Sequence, residues 1–527
     1  MVNPKTLDQN SQFEALAHKL GMQQVQTIIF AELPKHLAKQ IDYPFARKHL
    51  LVPIAESDEK ITVTLFDPLN LNALEEARLL LDKEVEAVFA KRELILQAID
   101  IFYHRQEGEV SDFLATLDKE KGSGNQEQIY DLLEVKDEAP IVQLLNMVLS
   151  EAIDQKASDI HFEPFEDDLN IRYRIDGVLQ TRHTPPREHQ AKLLTRIKVL
   201  AKLDIAEHRL PQDGRIKLKM GKREIDFRVS TVPVTHGERI VLRILDKGNL
   251  SLGLDQIGLM PTVLQEYKQI ISSTEGIILV TGPTGSGKTT TLYSTLWELY
   301  NEEINIMTIE DPVEYKLKGI AQIAVQPKIG LPFAAGLRHI LRQDPDVVMI
   351  GEIRDNETAE IAIQASLTGH LVFSTLHTND APSTIARLMD MGIEPYLLSA
   401  TIMGVLSQRL VRRICPHCKQ GYKPKKAELE QLGLKFSELE NKQLYHGKGC
   451  AKCFGLGYSG RCGVYELMII NDQLRSQIAQ KADVNILRKI ALQENMISLR
   501  SHGIELVRTG TTTLSELLRI RKKGEES

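Results

Sequence analysis

The stretch Val280–Ser294, VTGPTGSGKTTTLYS, decides how the rest of this chain is read. Within it Gly282-Pro283-Thr284-Gly285-Ser286-Gly287-Lys288-Thr289 fits the pattern G-x-x-x-x-G-K-[ST]. The apolar run GIILV precedes it, and TTLYSTLWELYN follows with helix-like spacing, so the context is strand, loop, helix. There the glycines let backbone N–H groups turn inward around a phosphate chain. The Lys288 ammonium is placed to neutralise the β and γ oxygens, and the Thr289 hydroxyl to ligate Mg²⁺. A Gly-rich turn with a chance lysine is the alternative, and the flanking strand and helix weigh against it.

A phosphate loop binds a nucleotide, whereas hydrolysis also needs an acid at the end of a neighbouring strand to hold the metal's water or orient the attacking one. INIMTIEDP ends an apolar run at Glu310 and Asp311, and DVVMIGEIRD ends another at Glu352. Gly351 stands where the second pattern commonly has an aspartate, so the base is Glu310 or Glu352. A solvated loop carboxylate is the plainer reading for either acid alone; two beside one phosphate loop are candidates together. TGHLVFSTLHTND places His370 just before an apolar strand and His377 just after it, and both are candidates to sense the γ-phosphate.

Two C-x-x-C hooks, Cys415/Cys418 and Cys450/Cys453, are separated by the 31 residues 419–449. Each hook turns two thiolates toward one ion, and two hooks complete a closed sulfur tetrahedron that suits structural Zn²⁺. Redox pairs are the alternative. The gap exceeds that of common zinc ribbons and predicts a mostly helical insertion. Cys462 is left over as a small buried residue.

At 527 residues the chain exceeds one compact core. The composition, 42% hydrophobic and 26% charged with a formal net charge of -6, gives no general pull toward a polyanion. No apolar run approaches the roughly 20 residues that span a bilayer, and the first residues lack the pattern of an export signal, so a cytosolic protein is expected. Strand and helix patterns divide the chain into an α/β module at 1–105, a charged Gly/Ser-containing linker at 106–128 and a second α/β domain at 129–250. Strands interleaved with helices over 251–410 predict a parallel sheet with covered faces; the cysteine module at 411–465 and a helical region at 466–527 follow. The fold class is therefore α/β and multidomain.

Read together and in order, GPTGSGKTTTLY, IEDPVEY, RQDPDVVMIGEIRD and TGHLVFSTLHTND resemble the Walker A, Asp, Walker B and His boxes of the secretion ATPase superfamily that powers type II secretion and type IV pili. ASDIHFEP, YRIDGVL and RLPQDGRI resemble the second, PAS-like N-terminal domain of that family, and the likeness covers nearly the whole chain. It implies a RecA-like P-loop NTPase core that takes ATP with Mg²⁺ in a homohexameric ring, the nucleotide lying between that domain and the core. In that geometry Arg215, Arg228 and Arg239 are similar to the arginines that reach the phosphates from the N-terminal side, where a planar cation stabilises transition-state charge.

The tetracysteine module is common in type II secretion and pilus-extension members of the family, so the resemblance agrees with zinc. The first module, by elimination, recruits the ring to an inner-membrane protein, beside an inner-membrane platform protein, giving a cytoplasmic protein peripheral to the inner membrane. Some family members bind a cyclic dinucleotide in this region; no convincing match to such a motif is read here, and that regulation is left open. YDLLEVKDEAPIVQLLN and RILDK lie closer to the type II secretion branch, with pilus extension as the other reading. A nucleic-acid translocase on the same fold is disfavoured by the acidic balance and by the lack of a basic stripe with interleaved aromatics, so no nucleic-acid partner is expected. A scaffold that binds nucleotide without turnover is the remaining alternative.

Overall fold

The computed structural model describes residues 13–102, 140–246, 253–434 and 443–520, less a few positions among residues 15–82 and residues 221–222. The expected linker at 106–128 lies outside the described residues. The chain divides into two compact units, Met1–Gly248 and Asn249–Ser527.

The first unit contains α1 (Tyr43–His49), β1 (Leu51–Glu56), β2 (Lys60–Leu65), α2 (Leu71–Leu81), β3 (Glu84–Phe89) and α3 (Arg92–Phe102). The strands form a sheet in the order β1-β2-β3, antiparallel then parallel. Ala73, Ala77 and Leu81 recur every fourth residue of α2, so one helix face is apolar and buried. Next come α4 (Pro140–Asp154), β4 (Asp159–Pro164), β5 (Leu169–Ile175), β6 (Val178–His183), α5 (Gln190–Leu200), β7 (Gln212–Met220), β8 (Arg223–Val234) and β9 (Gly237–Asp246). These six strands pair antiparallel in the order β6-β5-β4-β9-β8-β7.

Alternation assigns the two faces of this sheet. Leu169, Ile171, Tyr173 and Ile175 of β5 are buried, and the Tyr173 hydroxyl donates to the Val148 carbonyl of α4 at 2.9 Å, so this face meets that helix. The opposite face carries Arg172 and Arg174 of β5, Arg228 of β8, and Arg239 and Arg243 of β9.

The second unit contains α6 (Pro261–Ile271), β10 (Gly276–Thr281), α7 (Lys288–Leu299), β11 (Ile306–Glu310), β12 (Ala321–Ala324), α8 (Phe333–Ile340), β13 (Val347–Ile350), α9 (Asn356–Leu367), β14 (Leu371–Leu376), α10 (Pro382–Asp390), α11 (Pro395–Thr401) and β15 (Ile402–Ile414). After β15 follow β16 (Lys419–Tyr422), α12 (Lys426–Leu432), β17 (Leu444–Gly447), β18 (Tyr458–Ile469), α13 (Asp472–Ala479), α14 (Val484–Gln493), α15 (Leu499–Arg508) and α16 (Leu514–Ile520). The main sheet has the order β12-β11-β13-β14-β10-β15-β18, parallel through β15 with β18 antiparallel at the edge. β10, β13 and β14 are buried along their whole length, which is why β10 and β13 read as nearly continuous apolar runs, while Ser374 and Thr375 of β14 donate to the Ile350 and Gly351 carbonyls.

The sheet continues beyond residue 410. β15 pairs with β18 from Gly404↔Ile469 to Ile414↔Tyr458, so strands on both sides of the cysteine hooks belong to one sheet. Leu474, Ile478, Leu487 and Ile490 of α13 and α14 lie in the same core as Ile277 and Leu279 of β10. Spacing along the chain cannot reveal such a pairing, because the two strands are joined through the intervening hooks. The segment between the hooks also differs from its reading as mostly helical: it is a short β16/β17 antiparallel ladder with α12, and residues 435–442 lie outside the described residues. No helix among the described residues is long and apolar enough to cross a membrane.

Candidate active site

In a parallel sheet every strand delivers its carboxyl end to the same edge, and a ligand site forms there where neighbouring connections diverge. β10 is such a place, flanked by β14 and β15. Gly282–Gly287 follow its last residue, and Gly287, left-handed at φ +88°, caps α7. Lys288 begins that helix, and its ammonium donates to the carbonyls of Gly282 at 2.8 Å and Pro283 at 3.3 Å. Burial drives its pKa down to about 8; Glu352 opposes this shift and Arg409 adds to it. Ser286 is buried, whereas Pro283, Thr284, Gly285 and Thr289 are exposed.

Strand register brings both acids to this edge. Ile309 pairs with Ile350, which places Glu310 level with Gly351. Glu310 is buried and accepts from the Tyr293 hydroxyl, the Thr308 hydroxyl at 2.6 Å and the Gln322 amide at 3.0 Å. Three donors fill three of a carboxylate's roughly four lone-pair positions and fix its orientation. Burial, then the neighbouring Glu310, raise the Tyr293 pKa far above its ordinary value, so the phenol remains a donor.

Glu352 is bound differently. It pairs with Arg354, whose other side is 3.8 Å from Asp311, and lies 3.2 Å from His377 Nε2. Desolvation pushes its pKa up, but Arg354 and His377 outweigh that and hold it below the ordinary carboxylate value. A β-carbon at Gly351 would sit 3.3 Å from Glu310 Cα and from the Ile309 carbonyl, so there is little room for the aspartate common at that position.

The two histidines part company. His377 follows the end of β14 and reaches Glu352, but His370 precedes that strand, beside Gly276 at the start of β10. Its Nδ1 lies 2.8 Å from the Ala365 carbonyl, at the opposite edge of the sheet from the phosphate loop. The structure therefore separates His370 from the loop by the length of β10. In the HTND turn, Thr378 joins the Thr281 hydroxyl at 2.6 Å and the Thr384 hydroxyl at 2.7 Å, and Asp380 pairs with Arg488 at 2.9 Å.

The three arginines lie on the first unit's open sheet face. Arg215 and Arg228 face each other in register, and Arg228 faces Arg243 on its other side. Arg239 reaches Glu163 at 2.7 Å and His161 Nδ1 at 3.2 Å, while Arg243 reaches Asp159 at 3.1 Å. The alternate residues Asp159, His161 and Glu163 of ASDIHFEP thus share this face, and its two acids pair with arginines. Arg215, Arg228 and Arg243 thus stand in one row across β7, β8 and β9.

Cys415 and Cys418 lie between β15 and β16, and Cys450 and Cys453 between β17 and β18. Their sulfurs approach at 3.9 Å (Cys415 and Cys450), 3.7 Å (Cys418 and Cys453) and 3.7 Å (Cys450 and Cys453), all four within 4.8 Å of one another. Tetrahedral Zn–S bonds of about 2.3 Å require sulfurs about 3.8 Å apart, so the four thiols fit a metal such as zinc. The Cys450 and Gly457 N–H groups each point at Cys453 Sγ from 3.2 Å, which favours thiolate. Cys462 lies on β18 opposite Val411, its pKa pushed up to about 11 by burial.

Residue patterns did not single out Tyr293, Gln322, Arg354, Gln408 or Arg409. Gln408 and Arg409 did leave a trace: a buried polar pair inside the apolar strand GVLSQRLVRRI.

A phosphate loop at the switch point of a parallel sheet, with two acids on the same edge, defines a RecA-like P-loop core. The chain belongs to the Type II/IV secretion system protein family, whose model matches residues 134–519; the MshEN domain model matches residues 20–109. It is 43% identical over 503 residues to the Type II secretion system ATPase E of Vibrio cholerae, covering 94% of this chain and 99% of that one. It is 42% identical over 525 residues to the Type IV pilus assembly ATPase PilB of Myxococcus xanthus, covering 98% and 92%. Among solved structures the Legionella pneumophila ATPase DotB shares the fold, with TM-score 0.54 at 21% identity over 75% of this chain and 99% of that one. The names of these relatives are consistent with ATP hydrolase activity here.

Proposed function

We propose that this protein is a cytoplasmic, homohexameric ATPase that couples ATP hydrolysis to pseudopilus assembly at an inner-membrane platform, and so to protein export by a type II secretion system. The observation that carries the reading is the meeting of Lys288, Glu310, Glu352 and His377 at the edge holding Gly282–Thr289. The loop N–H groups and Lys288 hold the phosphates, with Thr289 as the ligand for Mg²⁺, which supplies charge neutralisation when bound. Glu310, fixed by three donors, orients the attacking water, and Glu352 with His377 faces the phosphate end. Arg215, Arg228 and Arg239 supply cations from the N-terminal side. The four cysteines hold Zn²⁺ as a structural clamp, residues 1–105 recruit the ring to a membrane protein, and no nucleic acid is bound.

Pilus extension is the second reading, because a pilus assembly ATPase and a type II secretion ATPase match almost the whole chain at 42% and 43% identity. A deletion strain complemented with wild type or Lys288→Ala decides between them. Under the secretion reading, exoproteins disappear from the medium, pili persist, and only wild type restores export. Loss of pili with export intact would transfer the assignment, and rescue by Lys288→Ala would favour the scaffold that binds without turnover.

Nucleotide binding should also take up a proton in alkaline solution. The free Lys288 pKa is about 8, and a bound polyphosphate favours the ammonium and raises it. Below the free value the group is already charged and nothing is taken up; above it affinity falls as pH rises. Calorimetric titration with ADP in buffers of different ionisation enthalpy should show uptake at about pH 9 and much less at about pH 7.5. Equal heats in the buffers at the higher pH would refute it.

A further inference from the structure

The motif explains which groups could touch phosphate but not what holds the loop open before phosphate arrives. Gln408, buried on β15, lies directly beneath it. Its Nε2 donates to the Ser286 carbonyl at 2.6 Å, and its Oε1 accepts from the Thr291 hydroxyl at 2.8 Å. The first bond sets the amide's orientation: the Ser286 carbonyl can only accept, so the NH₂ faces it, the flipped amide would set two acceptors against each other, and the Thr291 hydroxyl then donates to the oxygen and holds the amide in place.

Across a planar trans peptide, C=O and N–H point in opposite directions. Pulling the Ser286 carbonyl down toward β15 therefore turns the Gly287 N–H away from it, to the side where a loop of this kind takes its anion. The glycines make room for this floor. A β-carbon at Gly287 would lie 3.1 Å from Gln408 Nε2, and one at Gly282 would lie 2.4 Å from the Gln408 carbonyl oxygen.

We propose that Gln408 is a positioning residue for nucleotide binding, acting through the Ser286–Gly287 peptide, with Thr291 as the second anchor that holds its amide in place. The inference rests on the reading of Gly282–Thr289 as the nucleotide site. Gln408 touches no phosphate; its effect is to present a backbone donor already turned toward the ligand, so that binding does not bear the cost of turning it.

The test uses the full-length protein, a fluorescent ADP analogue for affinity, and steady-state ATP hydrolysis. Gln408→Glu keeps the shape but sets an acceptor against the Ser286 carbonyl, and it should weaken ADP binding about tenfold or more. The KM for ATP should rise by a similar factor and kcat should fall by less. Thr291→Val should weaken binding in the same direction, and Thr291→Ser, which keeps the hydroxyl, should restore it. Combining Gln408→Ala with Thr291→Val should cost little more than Gln408→Ala alone.

Unchanged affinity and KM in Gln408→Glu, with only a lowered melting temperature, would overturn the proposal. If the Gln408 variants do not fold, the Thr291→Val and Thr291→Ser pair decides, and equal affinity in the two would overturn it as well. Lys288→Ala separates the two levels of inference. Wild-type ADP affinity in that variant would reject the nucleotide site itself, whereas loss of binding there with unaltered Gln408 and Thr291 variants would reject only the role of Gln408.

Discussion

Replacing Lys288 with alanine is expected to reduce ATP turnover by about 10²–10³-fold, the usual loss when a preorganised group that stabilises transition-state charge is removed. The side chain is buried at the head of α7 and bonds to the loop's own carbonyls, which under the proposed function holds its ammonium beside the reacting phosphates. In the proposed site, alanine would also leave Glu352 without that neighbouring cation, adding repulsion of the phosphates to the loss of attraction. Arg354 and His377 offset part of this repulsion. Phosphate release by purified protein is the measurement. Turnover within about threefold of wild type would mean that the loop does not bind the reacting phosphates, a difference too small for a group with that role.

The other large effect concerns the four thiols. Stripping the metal, or replacing Cys415 with serine, should abolish bound zinc and unfold the segment between the hooks, since structural zinc sites in small modules contribute about 10–16 kcal/mol of apparent folding free energy. Apart from the metal, that segment is held by one small buried cluster, in which Leu429 and Leu444 meet Val507, Leu514 and Leu517. β16 and β17 are four residues each, and a two-stranded ladder of that length is marginal in water. The damage should stop at the hooks, because β15 and β18 keep their long pairing and Arg412 keeps its bond to buried Glu516 at 2.8 Å. Metal analysis with hydrogen exchange checks both parts: protection should vanish in β16, α12 and β17 and persist in β10, β13 and β14. A metal-free protein with that segment fully protected, or thiols that close into two disulfides in the native protein, would sink the zinc reading in favour of a redox pair.

The two acids show how far residue patterns reach. Each was legible because an apolar run ended on it, a local property of a buried strand and its loop. Their different settings were not legible. Tyr293 comes from α7 and Gln322 from the edge of the sheet to hold Glu310 in place, while His377 reaches Glu352 from the end of β14. The same limit misplaced His370: its distance from His377 along the chain is one strand, and a strand carries its two ends to opposite edges of the sheet.

The sequence by itself determined the phosphate loop, the strand and helix around it, the acids, the four thiols and the chain's likeness to a secretion ATPase, because each depends on residues close together or on recurring strings. Only the tertiary structure decided that β18 returns across the cysteine module to complete the sheet, that His370 faces away from the loop, and that Gln408 underlies it. These facts depend on pairings between distant segments, chosen by burial of complementary faces and satisfaction of buried polar groups, and neither leaves a fixed spacing along the chain.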